Sequence, residues 1–248
     1  MIKLKNVHLK YPLMGLKSHS LQMELYNKVG GLFGSSGKGS TDFVHALNNI
    51  SLTINHGDRL GILGHNGAGK TTLLRVLSGV YPPTSGTIQI EGKVNAMTDF
   101  SLGMDPNVSG YKNIIFRLVF MGYSYKDAVK AAPEIIEFSE LGEFIHMPTR
   151  TYSTGMFLRL AFAISTHFTP DILILDEVIG AGDESFREKA LTRLDSLFND
   201  ARIVVLSSHD LSAVEKYCTK VIVMEHGQVT YEGLPTEGIE YYRKQILS

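Results

Sequence analysis

The sequence predicts an α/β fold, a mostly parallel sheet with helices on both sides, and three observations carry that prediction. Strand-length apolar runs alternate with stretches of helical periodicity through most of the 248 residues, the pattern of successive βαβ crossovers. The runs Leu60–Leu63, Ile172–Leu175 and Ile203–Leu206 are apolar throughout and too short for buried helices. Each then opens directly into polar residues, and the carboxyl ends of strands line the ligand crevice of open α/β sheets.

The elements follow in order. Met1–Tyr11 alternates as a strand through Ile2, Leu4, Val7 and Leu9, and stops at Pro12. Composition changes over Pro12–Thr41, read as an insertion: Ser20–Val29 as a short amphipathic helix, Gly34–Thr41 as a glycine/serine linker. Val44–Ile54 and Asp58–Leu63 resume strand pattern, and Thr72–Leu77 is helical. Asn95–Leu141 reads mostly helical, with Ile114, Ile115, Leu118 and Met121 on one face and Pro133 interrupting or starting a helix. A helix from Thr154, a strand Ile172–Leu175, a helix Glu184–Phe198 and a strand Ile203–Leu206 follow. Short strands near Val221–Met224 and Val229–Tyr231 precede a terminal helix, and no internal repeat is visible. Residues 1–248 read as a single domain with an insertion at 12–41 and a helical subdomain at about 95–165.

Composition excludes several classes. Hydrophobic residues at 44% and charged residues at 20% leave room for a sizeable core. A net charge of −1 gives no electrostatic ground for binding nucleic acid. The single cysteine, Cys218, suits a reducing compartment and reads as a packed helix residue. No stretch approaches the roughly 20 apolar residues of a spanning helix, and Met1–Lys5 lacks a signal-peptide core. A cytoplasmic chain is expected, which makes the acceptor patterns at Asn49 and Asn107 chance matches.

Gly64-His65-Asn66-Gly67-Ala68-Gly69-Lys70-Thr71 matches the phosphate-loop pattern G-x-x-x-x-G-K-[ST] in full, between a strand and a helix. Such glycines let backbone N–H groups turn toward phosphate oxygens, and the helix N-terminus adds a favourable dipole. Lys70 is expected to reach the β- and γ-phosphates of ATP and Thr71 to coordinate Mg²⁺, with Thr72 completing the contact set. Gly34–Ser40 is a decoy: Gly37-Lys38 is followed by Gly39, residue 32 is Leu, and no helix pattern follows.

Asp171–Glu177 is an apolar strand ending in two acids. Asp176 at its tip is expected to hold the Mg²⁺ hydration shell, and Glu177, across the pleat, to polarise the attacking water. Ser207-Ser208-His209-Asp210 ends the next apolar strand, and His209 is placed to donate to the γ-phosphate.

Tyr152-Ser153-Thr154-Gly155-Met156 opens a helix shortly before the acidic strand and resembles the signature L-S-G-G-Q of ABC-transporter ATPases. Ser153 and Gly155 match, while Tyr, Thr and Met depart. Phosphate loop, signature, acidic strand and histidine occur in the family's order, and Gly180-Ala181-Gly182-Asp183 resembles its D-loop. The resemblance runs from about Met1 to Leu234. It implies a phosphate-loop ATPase core, a small antiparallel β subdomain and a helical subdomain. It implies a head-to-tail homodimer in which ATP on Lys70 of one copy is capped by Ser153 and Gly155 of the other. It also implies a membrane permease partner gripped by the Ser109–Leu141 region, and an adenine-stacking aromatic, Tyr11 with Phe43 as competitor. The family's glutamine before the signature has no counterpart in Val94–Asp105, where Asp99 is the nearest substitute.

The long insertion, Phe100-Ser101-Leu102-Gly103-Met104-Asp105-Pro106 and Ser109-Gly110-Tyr111-Lys112-Asn113-Ile114 resemble the ATPase subunits of bacterial polysaccharide exporters. Those move O-antigen, capsule or teichoic acid chains across the inner membrane, and the subunit is expected at its cytoplasmic face. A generic importer or drug-exporter ATPase, or a soluble ABC ATPase, is the alternative. Some O-antigen relatives add a carbohydrate-binding domain after the ATPase; with Ser248 the last residue here, the expectation is either that no chain-end modification is recognised or that this job lies elsewhere.

Overall fold

A computed structural model describes residues 1–12, 33–34, 43–98, 102–176 and 184–245. The expected helix Ser20–Val29, most of the Gly34–Thr41 linker, Asp99, Glu177 and Gly180–Asp183 lie outside them. Two compact units divide the chain: Met1–Gly92 with Ile174–Glu177 and Arg202–Ser248, and Lys93–Leu173 with Val178–Ala201.

In the first unit, β1 (Ile2–Pro12), β2 (Phe33–Gly34), β3 (Phe43–Ile54) and β5 (Ser85–Ile90) form an antiparallel sheet in the order β2-β3-β1-β5. Pairing of β1 with β3 runs from Ile2↔Ile54 to Pro12↔Phe43. The buried residues of β1 change phase between Leu4 and Val7, and a register shift there restores the alternation. Asn6 and Asn49 take left-handed backbone at the bulge (φ 46° and 59°), and Asn6 Nδ2 donates to Asn49 Oδ1 at 2.8 Å. β5 was not anticipated, because its outward residues are exposed and its apolar content is low. Gly34, expected in the linker, is instead paired to Phe43 as part of β2.

Strands β4 (Arg59–Leu63), β6 (Val94–Met97), β7 (Ile172–Asp176), β8 (Ile203–Ser207), β9 (Lys220–Glu225) and β10 (Gln228–Gly233) form the larger sheet in the order β10-β9-β4-β8-β7-β6. Its centre is parallel: β4 (Arg59–Leu63) pairs with β8 (Ile203–Ser207) on one side and β9 (Lys220–Glu225) on the other. β10 (Gln228–Gly233) adds antiparallel to β9. Of β7 (Ile172–Asp176), the Ile174–Asp176 end belongs to the first unit. Helices α1 (Lys70–Leu77), α6 (Leu211–Tyr217) and α7 (Pro235–Gln245) complete this unit. Leu63, Val214, Val221, Val223, Ile239 and Tyr242 form one buried cluster that seats α6 and α7 on the sheet. Partly buried Cys218 caps α6 and packs against that cluster, and burial pushes its thiol up to about 12.

The second unit holds α2 (Gly110–Phe120), α3 (Tyr125–Ser139), α4 (Thr154–Ser165) and α5 (Glu184–Asp200). Ser109, Ser124 and Ser153 cap α2, α3 and α4, each accepting from the backbone N–H three residues on. Ile114, Leu118, Ala128, Ala132, Ile135, Leu160 and Ile164 pack together between α2, α3 and α4. Two expectations fail here. Pro133 neither interrupts nor starts a helix: α3 runs straight through it, with the exposed ring flanked by buried Ala132 and Ile135. An interior proline costs about 3 kcal/mol, and packing of the flanking residues offsets it. The helical reading of Asn95–Met97 also fails, because β6 (Val94–Met97) is a strand that buries Asn95 and Met97.

Fully buried Asn113 knits the segment before α2 to the one before α4. Its Oδ1 accepts from Asp105 N at 2.7 Å, and its Nδ2 donates to Asp105 O, Val108 O, Ser109 O and Thr149 Oγ1. Thr149 N and Arg150 N in turn donate to Val108 O and Pro106 O. Among the described residues, no helix is long and apolar enough to cross a membrane.

Candidate functional site

The phosphate loop leaves the buried strand β4 and enters α1, whose helical turns begin at Lys70 rather than at Thr72. Gly69 is the N-cap at φ 103°, and a Cβ there would lie 2.8 Å from Ala46 O, so only glycine fits. No side chain caps α1, which leaves its first N–H groups without a side-chain acceptor. The loop is closed on itself by Ala68 N donating to His65 O at 3.1 Å. Lys70 is 8% exposed and its Nζ donates to Gly64 O at 2.6 Å and His65 O at 3.1 Å. Those carbonyls hold the ammonium at the loop's mouth, where a buried charge needs partners.

Thr71 is exposed, and its Oγ1 donates to Asp176 Oδ2 at 2.8 Å, so two residues 105 apart in sequence meet. A hydroxyl beside a carboxylate is a pair of hard oxygen donors that suits Mg²⁺. Asp176 is the last residue of β7, and Glu177 lies outside the described residues. His209 is exposed just beyond β8, the strand between β7 and β4. The next residue, Asp210, caps α6 by accepting from Ser212 N and Ala213 N. Its hydrogen bond from the Ser212 hydroxyl, then those backbone N–H groups, hold its carboxyl below the usual range.

Tyr11 sits at the end of β1 with its ring edge on Tyr81, centroids 5.9 Å apart, and hydrogen-bonds Thr72. Desolvation raises its phenol. Arg75 Nη1 donates to the Tyr81 hydroxyl at 3.2 Å. Phe43 keeps other company: His45 at 4.9 Å and Lys10 Nζ 4.5 Å from its centroid. Tyr11, and not Phe43, is thus tied to the helix that follows the phosphate loop.

In the second unit, Ser153 caps α4 and accepts from Met156 N at 3.2 Å. A Cβ on Gly155 would meet only Ser153 Oγ, at 3.9 Å, so the first turn of α4 presents open backbone. Tyr152 anchors the approach by donating to Phe144 O at 2.7 Å.

Sequence reasoning missed Tyr81 and Arg75, Asn113, and the turn His226–Gly227 that packs on the phosphate loop. Asn113 stood inside a quoted motif; Tyr81 meets Tyr11, and the His226–Gly227 turn meets the loop, only across long stretches of sequence.

The family model described as ABC transporter matches residues 47–180. The chain belongs to the ABC transporter family. Within it, the chain is 45% identical to the O-antigen export system ATP-binding protein of Yersinia enterocolitica, over 93% of this chain and 96% of that one. It is 43% identical to an O-antigen export system ATP-binding protein of Myxococcus xanthus and 38% to a teichoic acids export ATP-binding protein of Lactococcus lactis. Those matches cover 82% and 99% of this ABC chain but 46% and 51% of the relatives, so it spans about half their length. Among solved structures, a dimeric ATP-binding cassette in a post-hydrolysis state with ADP and Pi superposes with a TM-score of 0.68 at 24% identity. It covers 95% of this chain and 99% of the cassette, a likeness of fold. As an ABC transporter family member the chain has the expected cassette fold.

Proposed function

We propose that this chain powers export of a polysaccharide of O-antigen, capsule or teichoic acid type across the bacterial inner membrane, working as a homodimer on the cytoplasmic face of a permease. Support for the substrate class is the 45% identity to the Yersinia relative over nearly the full length of both chains. Support for the chemistry is the Thr71–Asp176 hydrogen bond, which closes a hard-oxygen pair beside the loop lysine. Exposed Phe116, Val119 and Phe120 on α2 support the helical unit as the face that meets the permease.

In this reading the loop N–H groups of Gly67 and Gly69 and the Lys70 ammonium bind the β- and γ-phosphates, while Tyr11 stacks on adenine. Thr71 and Asp176 would hold Mg²⁺, which when bound neutralises developing phosphate charge. Glu177 orients and polarises the attacking water, and His209 donates to the γ-phosphate. Ser153 and the open first turn of α4 from the second copy cap the same phosphate, so ATP joins the two copies and hydrolysis releases them.

The test is Mg²⁺-dependent ATPase activity of the chain and of Glu177→Gln, with sedimentation. An inactive variant that dimerises on ATP is expected; one as active as wild type removes Glu177 from the chemistry. In cells, loss of the gene should strip the glycan from the surface, restored by wild type and not by Lys70→Ala. An unchanged surface glycan would overturn the substrate class.

A further inference from the structure

We propose that the turn His226–Gly227, between β9 and β10, is a positioning element that presets the phosphate loop for the nucleotide, with His226 acting through His65. The inference rests on the reading that Gly64–Thr71 binds ATP phosphates, and deepens it.

Gly227 N donates to Ala68 O at 2.9 Å, and Gly227 O accepts from Asn48 N at 2.8 Å. A trans peptide is planar, so its C=O and the following N–H point in opposite directions. Fixing the Ala68 carbonyl on Gly227 therefore turns the Gly69 N–H the other way, away from the turn. Ala68 is fully buried, so this carbonyl is matched inside the fold. Gly227 is at φ 76°, and a Cβ on it would lie 2.8 Å from Ala46 O, which leaves no room for another residue.

A second peptide plane is set by the histidines. His65 Nδ1 lies 2.8 Å from Asn66 O. The carbonyl can only accept, so Nδ1 carries the proton. That bond orients the Asn66–Gly67 peptide and with it the Gly67 N–H. The His65 ring is held in turn by the edge of His226, with centroids 5.3 Å apart at 61°. His226 can stand there because it adopts left-handed backbone, φ 48°, at the tip of the turn. One turn, distant in sequence, thus sets two peptide planes of the loop, Ala68–Gly69 through its backbone and Asn66–Gly67 through a ring. Preset dipoles need no reorganisation when the ligand arrives, which is where affinity is gained.

The experiment titrates the full chain with a fluorescent ATP analogue and measures KM and kcat for ATP. Asparagine tolerates the left-handed turn, so His226→Asn removes the ring and keeps the backbone clamp. His226→Asn is expected to weaken nucleotide binding three- to tenfold, with KM rising more than kcat falls and with unchanged thermal stability. Combining it with His65→Asn should add no more than twofold, since both break one path. Binding by His226→Asn within 1.5-fold of wild type, or fully additive losses in the double variant, would overturn the proposal. Lys70→Ala is the control. If it binds nucleotide like wild type, the phosphate-loop reading itself fails; if it alone loses binding, only the role of the turn does.

Discussion

Replacing Lys70 by methionine keeps the aliphatic stem packed and removes only the ammonium. Lys70 is 8% exposed, and its ammonium donates to Gly64 O and His65 O. Its loss orphans part of one carbonyl's capacity, because His65 O retains Ala68 N. It also relieves a buried charge of its desolvation cost, so stability should move by no more than about 1 kcal/mol. Nucleotide binding should suffer far more. A hydrogen bond to a charged group contributes about 1.5–3 kcal/mol, roughly a 10- to 150-fold change in Kd. At an ATP concentration of about 100 times the wild-type Kd, ligand stabilises wild type by about 2.7 kcal/mol. A variant binding about 100-fold more weakly gains only about 0.4 kcal/mol at that concentration. For a chain of this size 1 kcal/mol shifts Tm by about 2–4 °C. A thermal melt with and without ATP should therefore show a rise of about 5–11 °C for wild type and about 1 °C for Lys70→Met. Equal ATP-induced shifts in both proteins would refute the assignment of Lys70 to the phosphates.

Thr71→Ala breaks the bond to Asp176 Oδ2 and should lower Mg²⁺-dependent turnover at least tenfold while ATP binding without metal changes little, read by paired activity and titration. Ser153→Ala deletes the cap of α4, costing about 1 kcal/mol in urea melts, and should weaken ATP-driven dimerisation more than nucleotide binding. Asn113→Ala strands several buried polar groups around Asp105 and Thr149 and should cost about 2–4 kcal/mol in the same melts. Burial holds the Cys218 thiol up at about 12, against an ordinary value of 9.0. The folded-state pKa is the raised one, so its stabilising contribution is complete below pH 9 and is lost as pH climbs toward 12. A thiol reagent at pH 8 should accordingly modify Cys218 slowly in the native chain and rapidly in urea.

The loop Gly64–Thr71 and the acid strand were legible because each packs its chemistry into consecutive residues whose types admit few other uses. The helix start at Ser153 follows the same logic, since a cap is a local contract between a hydroxyl and an N–H three residues on, whereas the starts at Ser109 and Ser124 were not separated within the helical reading of Asn95–Leu141. What escaped was settled at long range. Pro133 obeys the packing of its neighbours and not its own propensity. β6 is too short for its alternation to stand out from the helical pattern that follows. Tyr11 led Phe43 as a candidate only by the family's placement, and it is the fold that gives Tyr11 the company of Tyr81 and Thr72. The His226–Gly227 turn lies more than 150 residues from the loop it touches, with no motif to announce it.

β4 is the inner strand from which the phosphate loop springs. Leu60 and Ile62 are wholly buried, and Gly61 is bare enough for Val214, Val221 and Cys218 to close over it. Amide protons along such a strand exchange with solvent only when the whole unit opens. The loop's root therefore carries the full folding free energy of its unit, and no local fluctuation can release it. Deuterium uptake at Leu60–Leu63 would report on global unfolding alone, making those amides an internal clock against which nucleotide-induced protection elsewhere in the chain can be timed.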